Sequence, residues 1–111
     1  MTDLCEVVIT APDPEWLAAF TRRLVADRLC AGSHQTSQVR SIYTWDGQIV
    51  DRAEARVALH TRMEHLTAII DRADAEHPYK VPCVVAFPLI GSSPAYAAWV
   101  IAATATNSHP T

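Results

Sequence analysis

Few of the features that sort a sequence quickly into a class occur in this one. It holds three glycines in 111 residues, and there is no Gly-rich phosphate loop, no GxSxG elbow and no HExxH pair. Nothing in the motifs therefore points to a P-loop nucleotidase, an α/β-hydrolase or a zincin. The three cysteines, Cys5, Cys30 and Cys83, are isolated, odd in number and without CxxC spacing. That pattern fits free thiols in a reducing cytoplasm better than a disulfide scaffold. A formal net charge of −3 makes no electrostatic case for nucleic acid or an anionic membrane. The start, Met1-Thr2-Asp3, has no basic n-region and no apolar run approaches bilayer length, so neither a signal peptide nor a membrane span is expected.

What is present is a well-patterned chain. Half of the residues are hydrophobic, and the length suits one domain over residues 1–111. Leu4 to Thr10 is a short apolar run of strand length. Asp13 reads as an N-cap with Pro14 at the first helical position. Trp16, Leu17, Phe20, Leu24 and Val25 then form one stripe at helical spacing, and Ala31-Gly32-Ser33 is read as the break. From His34 to Trp45 the pattern alternates, with Val39, Ser41, Tyr43 and Trp45 on one parity. Asp46-Gly47 is a tight-hairpin signal, and the return strand runs from Gln48 to about His60. A hairpin this long overshoots a small sheet, so its tip projects or pairs with another chain. Thr61 and Glu64 have capping-box spacing for a second helix through Leu66, Ile69, Ile70 and Ala73; His65 reads as solvated on it. Cys83 to Ile90 reads as a last strand, with Pro88 marking an edge or a bulge. Ser93 and Pro94 open a third helix, and residues 104–111 read as a fraying tail. The order is βαββαβ plus one helix: an α+β, ferredoxin-like arrangement with both long helices on one face.

Residues able to carry chemistry cluster near the expected strand ends: His34, His60, His77, Cys30, Cys83, Glu54 and Lys80. Imidazole with thiolate favours soft or borderline ions such as copper or zinc. A lone His at a strand end is more often a structural hydrogen-bonding group. Between the second helix and the last strand lies His77-Pro78-Tyr79-Lys80-Val81-Pro82. Its two prolines make it stiff and extended, and local chemistry reads it equally well as a turn and as a site.

Ser41-Ile42-Tyr43-Thr44-Trp45-Asp46-Gly47-Gln48-Ile49, the strand from Glu54 to Arg62, His77 to Pro82, and Gly91 with Tyr96 and Trp99 resemble the CutA divalent-cation-tolerance family in order and spacing. The resemblance implies a ferredoxin-like protomer in a PII-like homotrimer, with edge strands and hairpins pairing around a three-fold axis and clefts between subunits. It also implies a non-enzymatic role in tolerance of copper and other divalent cations. Departures from the family wording bear on the site: Gly32 stands where a Cys is usual, His60 replaces a Lys, Lys80 an acidic residue, and Cys83 a Glu. The metal-ligand set expected on this basis is His77, Cys83, His60 and His34, with Glu54 as a carboxylate neighbour and copper or zinc as the ion. The alternative is an inter-subunit cleft that binds or transforms a small anionic organic molecule, with His60 and Tyr79 in acid–base roles and Lys80 as anion anchor.

Overall fold

The structure, a computed structural model, describes residues 3–105. Its elements are β1 (Leu4–Ala11), α1 (Pro14–Ala26), β2 (Gly32–Trp45), β3 (Gln48–Arg62), a short 3-10 turn (Met63–His65), α2 (Leu66–Glu76), β4 (Val84–Pro88) and α3 (Pro94–Ala103). The four strands form one antiparallel sheet in the order β2-β3-β1-β4, so the ferredoxin-like α+β arrangement expected from the element order is what forms.

Strand parity decides the two faces. Cys5, Val7, Ile9 and Ala11 of β1 and Ala55, Val57 and Leu59 of β3 are buried on one side. Leu17, Phe20 and Leu24 of α1 and Ile69 and Ala73 of α2 cover them, each large side chain contributing about 1.5–3 kcal/mol by leaving water. Leu4 projects to the other face, where Val100 of α3 and Ala31 make a small second cluster.

The ends of the elements follow local chemistry, with some departures from the sequence reading. Asp13 caps α1 as expected, its Oδ1 accepting from the Glu15 N–H at 3.0 Å. The helix ends at Ala26, earlier than Ala31-Gly32-Ser33. Arg28 adopts φ 63°, and the Leu29 and Arg28 amides donate to Leu24 and Val25 at 2.9 and 3.0 Å, a Schellman turn closed by an arginine. Val25 is 41% exposed and Thr21 is buried instead, which rotates the apolar stripe slightly. Gly32 opens β2 rather than breaking a helix; a Cβ there would lie 3.0 Å from Trp99 Cη2.

The Thr61–Glu64 capping box does not form. β3 continues through Arg62, and the Thr61 hydroxyl donates to the Leu29 carbonyl at 2.6 Å. His65 is buried, not solvated, and its Nε2 bonds the Thr104 carbonyl at 2.8 Å. Thr104 is itself fully buried, its hydroxyl donating to Val100 O at 2.7 Å and accepting from Arg62 Nε at 3.0 Å. It anchors α3 and does not belong to a tail; residues 106–111 lie outside the described residues.

The hairpin overshoots as anticipated. β1 pairs with β3 over Ala55–Arg62, and beyond it β3 pairs with β2 alone as far as Trp45↔Gln48. A bulge between Thr36 and Val39 marks the departure from the main sheet. Asp46 (φ 54°) and Gly47 (φ 77°) form the tip, the two positive φ values that suit the right-handed strand twist.

Candidate functional site

The stiff bridge from His77 to Pro82 lies against the base of the hairpin, and His77 pins it there. His77 is buried and packs edge-on to Trp16 with ring centroids 5.1 Å apart. Its Nε2 donates to the carbonyl of Thr10, near the end of β1, at 2.8 Å. Its Nδ1 accepts the Tyr79 amide at 2.9 Å. Both ring nitrogens are committed, so this imidazole has no lone pair for a cation unless the bridge comes apart.

Tyr79 follows as the second anchor. Its hydroxyl donates to Oε2 of the buried Glu54 at 2.7 Å, and burial, then the bond to that carboxylate, pushes the phenol well above its ordinary value. The phenol is therefore a fixed donor. Glu54 is spent on this bond and lies beneath the bridge.

The hairpin turn places Tyr43 opposite Val50 and Ser41 opposite Arg52, so Tyr43, Trp45, Val50 and Arg52 share one face. Together with Pro78, Tyr79, Lys80 and Val81 they line a cleft of about 460 Å³. The Arg52 guanidinium lies over the Tyr79 ring, 5.6 Å from its centroid, a cation–π contact.

A second polar cluster forms where β1 and β3 pair. His60 Nε2 meets Glu6 Oε1 at 2.9 Å, and its Nδ1 is bonded to the Tyr96 hydroxyl. Burial, then the nearby Glu6 carboxylate, raises the Tyr96 phenol, which keeps it a donor to the imidazole. His60 and Tyr79 are thus apart: His60 stands six residues along β3 from Tyr79's partner Glu54, about 20 Å of strand. The acid–base trio His60, Tyr79 and Lys80 does not assemble in one protomer; Lys80 alone accompanies Tyr79 at the cleft.

The expected ligand set is likewise dispersed. Among the described residues no three His, Cys, Asp or Glu groups come together as a metal cradle. His77, His60 and Glu54 are tied down by the bonds above, while Cys83 and His34 are exposed. Burial raises the Cys5 thiol and pushes Cys30 up to about 12, so those two are inert core residues and Cys83 is the accessible thiol. Within a single protomer the donors do not fit a resident cation. Sequence reasoning missed Glu6, Arg52 and Tyr96 as site partners. Arg52 was recoverable, because the two-residue turn dictates its place on the Tyr43 face; the Glu6–His60 pairing depends on a long-range register that no local signal carries.

Sheet order, projecting hairpin and cleft together define a small ferredoxin-like α+β domain built to present edges and a polar-aromatic recess. Comparison with known proteins narrows the class. The family model of the CutA1 divalent ion tolerance protein matches residues 5–103. The divalent-cation tolerance protein CutA of Thermus thermophilus is 32% identical over 94 residues, spanning 85% of this chain and 91% of that one. Protein CutA, chloroplastic, of Arabidopsis thaliana is 29% identical over 94 residues, and the chain spans about half (52%) of its length. Among solved structures, CutA1 of Oryza sativa superposes with a TM-score of 0.90 at 27% identity, over 94% of this chain and 95% of that one. CutA of Xylella fastidiosa gives 0.88 at 30% identity, over 94% and 100%. The chain belongs to the CutA family of divalent ion tolerance proteins.

Proposed function

We propose that the chain acts as a homotrimer that binds a soft divalent cation, copper or zinc, at the junctions between protomers, and that it serves tolerance by holding the ion rather than by catalysis. The observation that carries this reading is the placement of His34 and Cys83, exposed soft donors among the described residues. β2 and β4 are the two edges of the sheet. His34 on β2 lies in one row with Ala58, Val8 and Val85, and Cys83 immediately precedes β4. A ring closed by edge-to-edge contacts joins β2 of one protomer to β4 of the next, bringing an imidazole and a thiol to each joint. That donor pair suits borderline ions better than magnesium or calcium. The free thiols fit a reducing compartment such as the cytoplasm.

Titration of the intact oligomer with Zn²⁺, followed by calorimetry, tests this. His34→Ala and Cys83→Ala are each expected to weaken binding at least tenfold, while His77→Ala acts through stability alone. Unchanged zinc affinity in both of the first two variants overturns the assignment.

A further inference from the structure

The aromatic cleft under the hairpin is a separate matter from the edges, and its composition is specific. Its walls are rings: Tyr43 and Trp45 on the hairpin face, with Tyr79 held opposite by its bond to Glu54. Its charged groups are cations: Arg52 and Lys80 both line it. Among the described residues neither takes part in an ion pair, whereas Arg23, Arg40, Arg62 and Arg72 all do. The acidic groups nearby are accounted for. Asp51 is held bidentately by Arg40 on the other face of the hairpin, Glu54 is buried beneath Tyr79, and Asp46 stands at the tip in a neighbouring concavity with Trp45 and Lys80. The recess is of small-ligand size, and pockets of that size with mostly apolar walls and a few placed polar groups are the usual form of a small-molecule site.

We propose that this cleft binds a planar aromatic anion, a ring bearing a phosphate or carboxylate. The ring lies against Tyr43 and Trp45, where flat faces offset-stack over apolar area, because Arg52 covers the Tyr79 ring. The anionic group sits between Lys80 and Arg52. Arg52 supplies a planar fork already oriented by the Tyr79 face, and charge-assisted bonds to an oxyanion are the strong kind. Rigidity favours the site: the two prolines and the two bonds to His77 fix the bridge, so little ordering accompanies binding. The site stands whether or not the edges bind a cation, since it shares no residue with His34 or Cys83.

The test uses 1-naphthyl phosphate on the full-length oligomer, read by quenching of Trp45 fluorescence and by equilibrium dialysis. The uncharged 2-naphthamide and inorganic phosphate serve as comparison ligands. Naphthyl phosphate is expected to bind at least tenfold more tightly than either, with affinity falling as NaCl is raised. Arg52→Gln and Lys80→Glu are each expected to lower the affinity at least tenfold, and Trp45→Phe to keep binding by dialysis while losing most of the quench. His34→Ala and Cys83→Ala are expected to leave it unchanged, which separates this site from the cation site. Both charge substitutions are at exposed positions, and an unaltered melting curve will confirm the fold. Absence of binding by the unmodified protein overturns the proposal, as does naphthamide binding as tightly as the phosphate. Retention of affinity within twofold in both charge variants does the same.

Discussion

At the scale of single residues, the imidazoles and carboxylates that looked most like ligands are mostly structural. His77 bonds through both nitrogens, His60 does the same between Glu6 and Tyr96, and Glu54 is capped by Tyr79. The types of residue near the site were legible in the sequence, because a stiff His-Pro-Tyr bridge announces itself. Their employment was not, since it depends on which backbone group or side chain meets each tip. Tyr79→Phe exposes the consequence. It leaves a buried carboxylate without its donor and is expected to cost about 1–3 kcal/mol in urea unfolding at pH 7; Glu54→Gln, which keeps an acceptor for the phenol, is expected to cost less. The pH dependence has a definite sign. The folded chain holds the Tyr79 proton above the ordinary phenol value of 10.0 while the unfolded chain releases it. Stability therefore declines as pH rises past that value, and Tyr79→Phe is expected to flatten the alkaline limb.

At the scale of elements, the hairpin was the most legible feature and the second helix the least. Asp46-Gly47 forces a two-residue turn, and once the turn is set every cross-strand pair from Trp45↔Gln48 to Ser41↔Arg52 follows by counting. The helix start at Thr61 failed because a hydroxyl three residues before a carboxylate is a pattern and not a geometry. Here the Leu29 carbonyl reached Thr61 first, and β3 kept the residues in extended form. The same contrast appears at Arg28, where a Schellman closure occurs without its usual glycine. The hairpin also yields a clean test. At Gly47 an added Cβ meets nothing within 4 Å, so Gly47→Ala isolates the cost of positive φ, about 1–2 kcal/mol. Hydrogen exchange is expected to quicken at Trp45 and Gln48 while the β1–β3 amides stay protected. Gly47→Asn, which tolerates that conformation, should sit between the two. Equal exchange in all three would show that the turn carries no strain.

At the scale of the whole molecule, the protomer is elongated, 52 × 30 × 22 Å, and part of its apolar exposure falls into two groups. Ile42 (63%) and Ile49 (79%) project from the hairpin face opposite the cleft, while Val85 (45%), Phe87 (53%) and Ile90 (99%) lie on or just beyond β4. One group belongs to the β2–β3 side of the sheet and the other to the β4 side, so a single self-complementary patch does not describe them. The proposed ring, joined head to tail, would bring the two groups together, and large apolar side chains clustered on exposed strand edges commonly mark interfaces. The overshoot of the hairpin was visible in the sequence; where its apolar side would point was not, because that needs the bulge at Thr36–Val39 and the twist it imposes. Light scattering is expected to give about three times the protomer mass of 12.2 kDa. Ile49→Lys with Phe87→Lys, one change on each side of the joint, is expected to shift that mass towards the monomer with far-UV dichroism intact. Both positions are more than half exposed in the isolated protomer, so neither charge should disturb its core. If the double variant keeps the parent's mass, these two apolar groups do not form the joint, and the pairing of His34 with Cys83 across it loses its support.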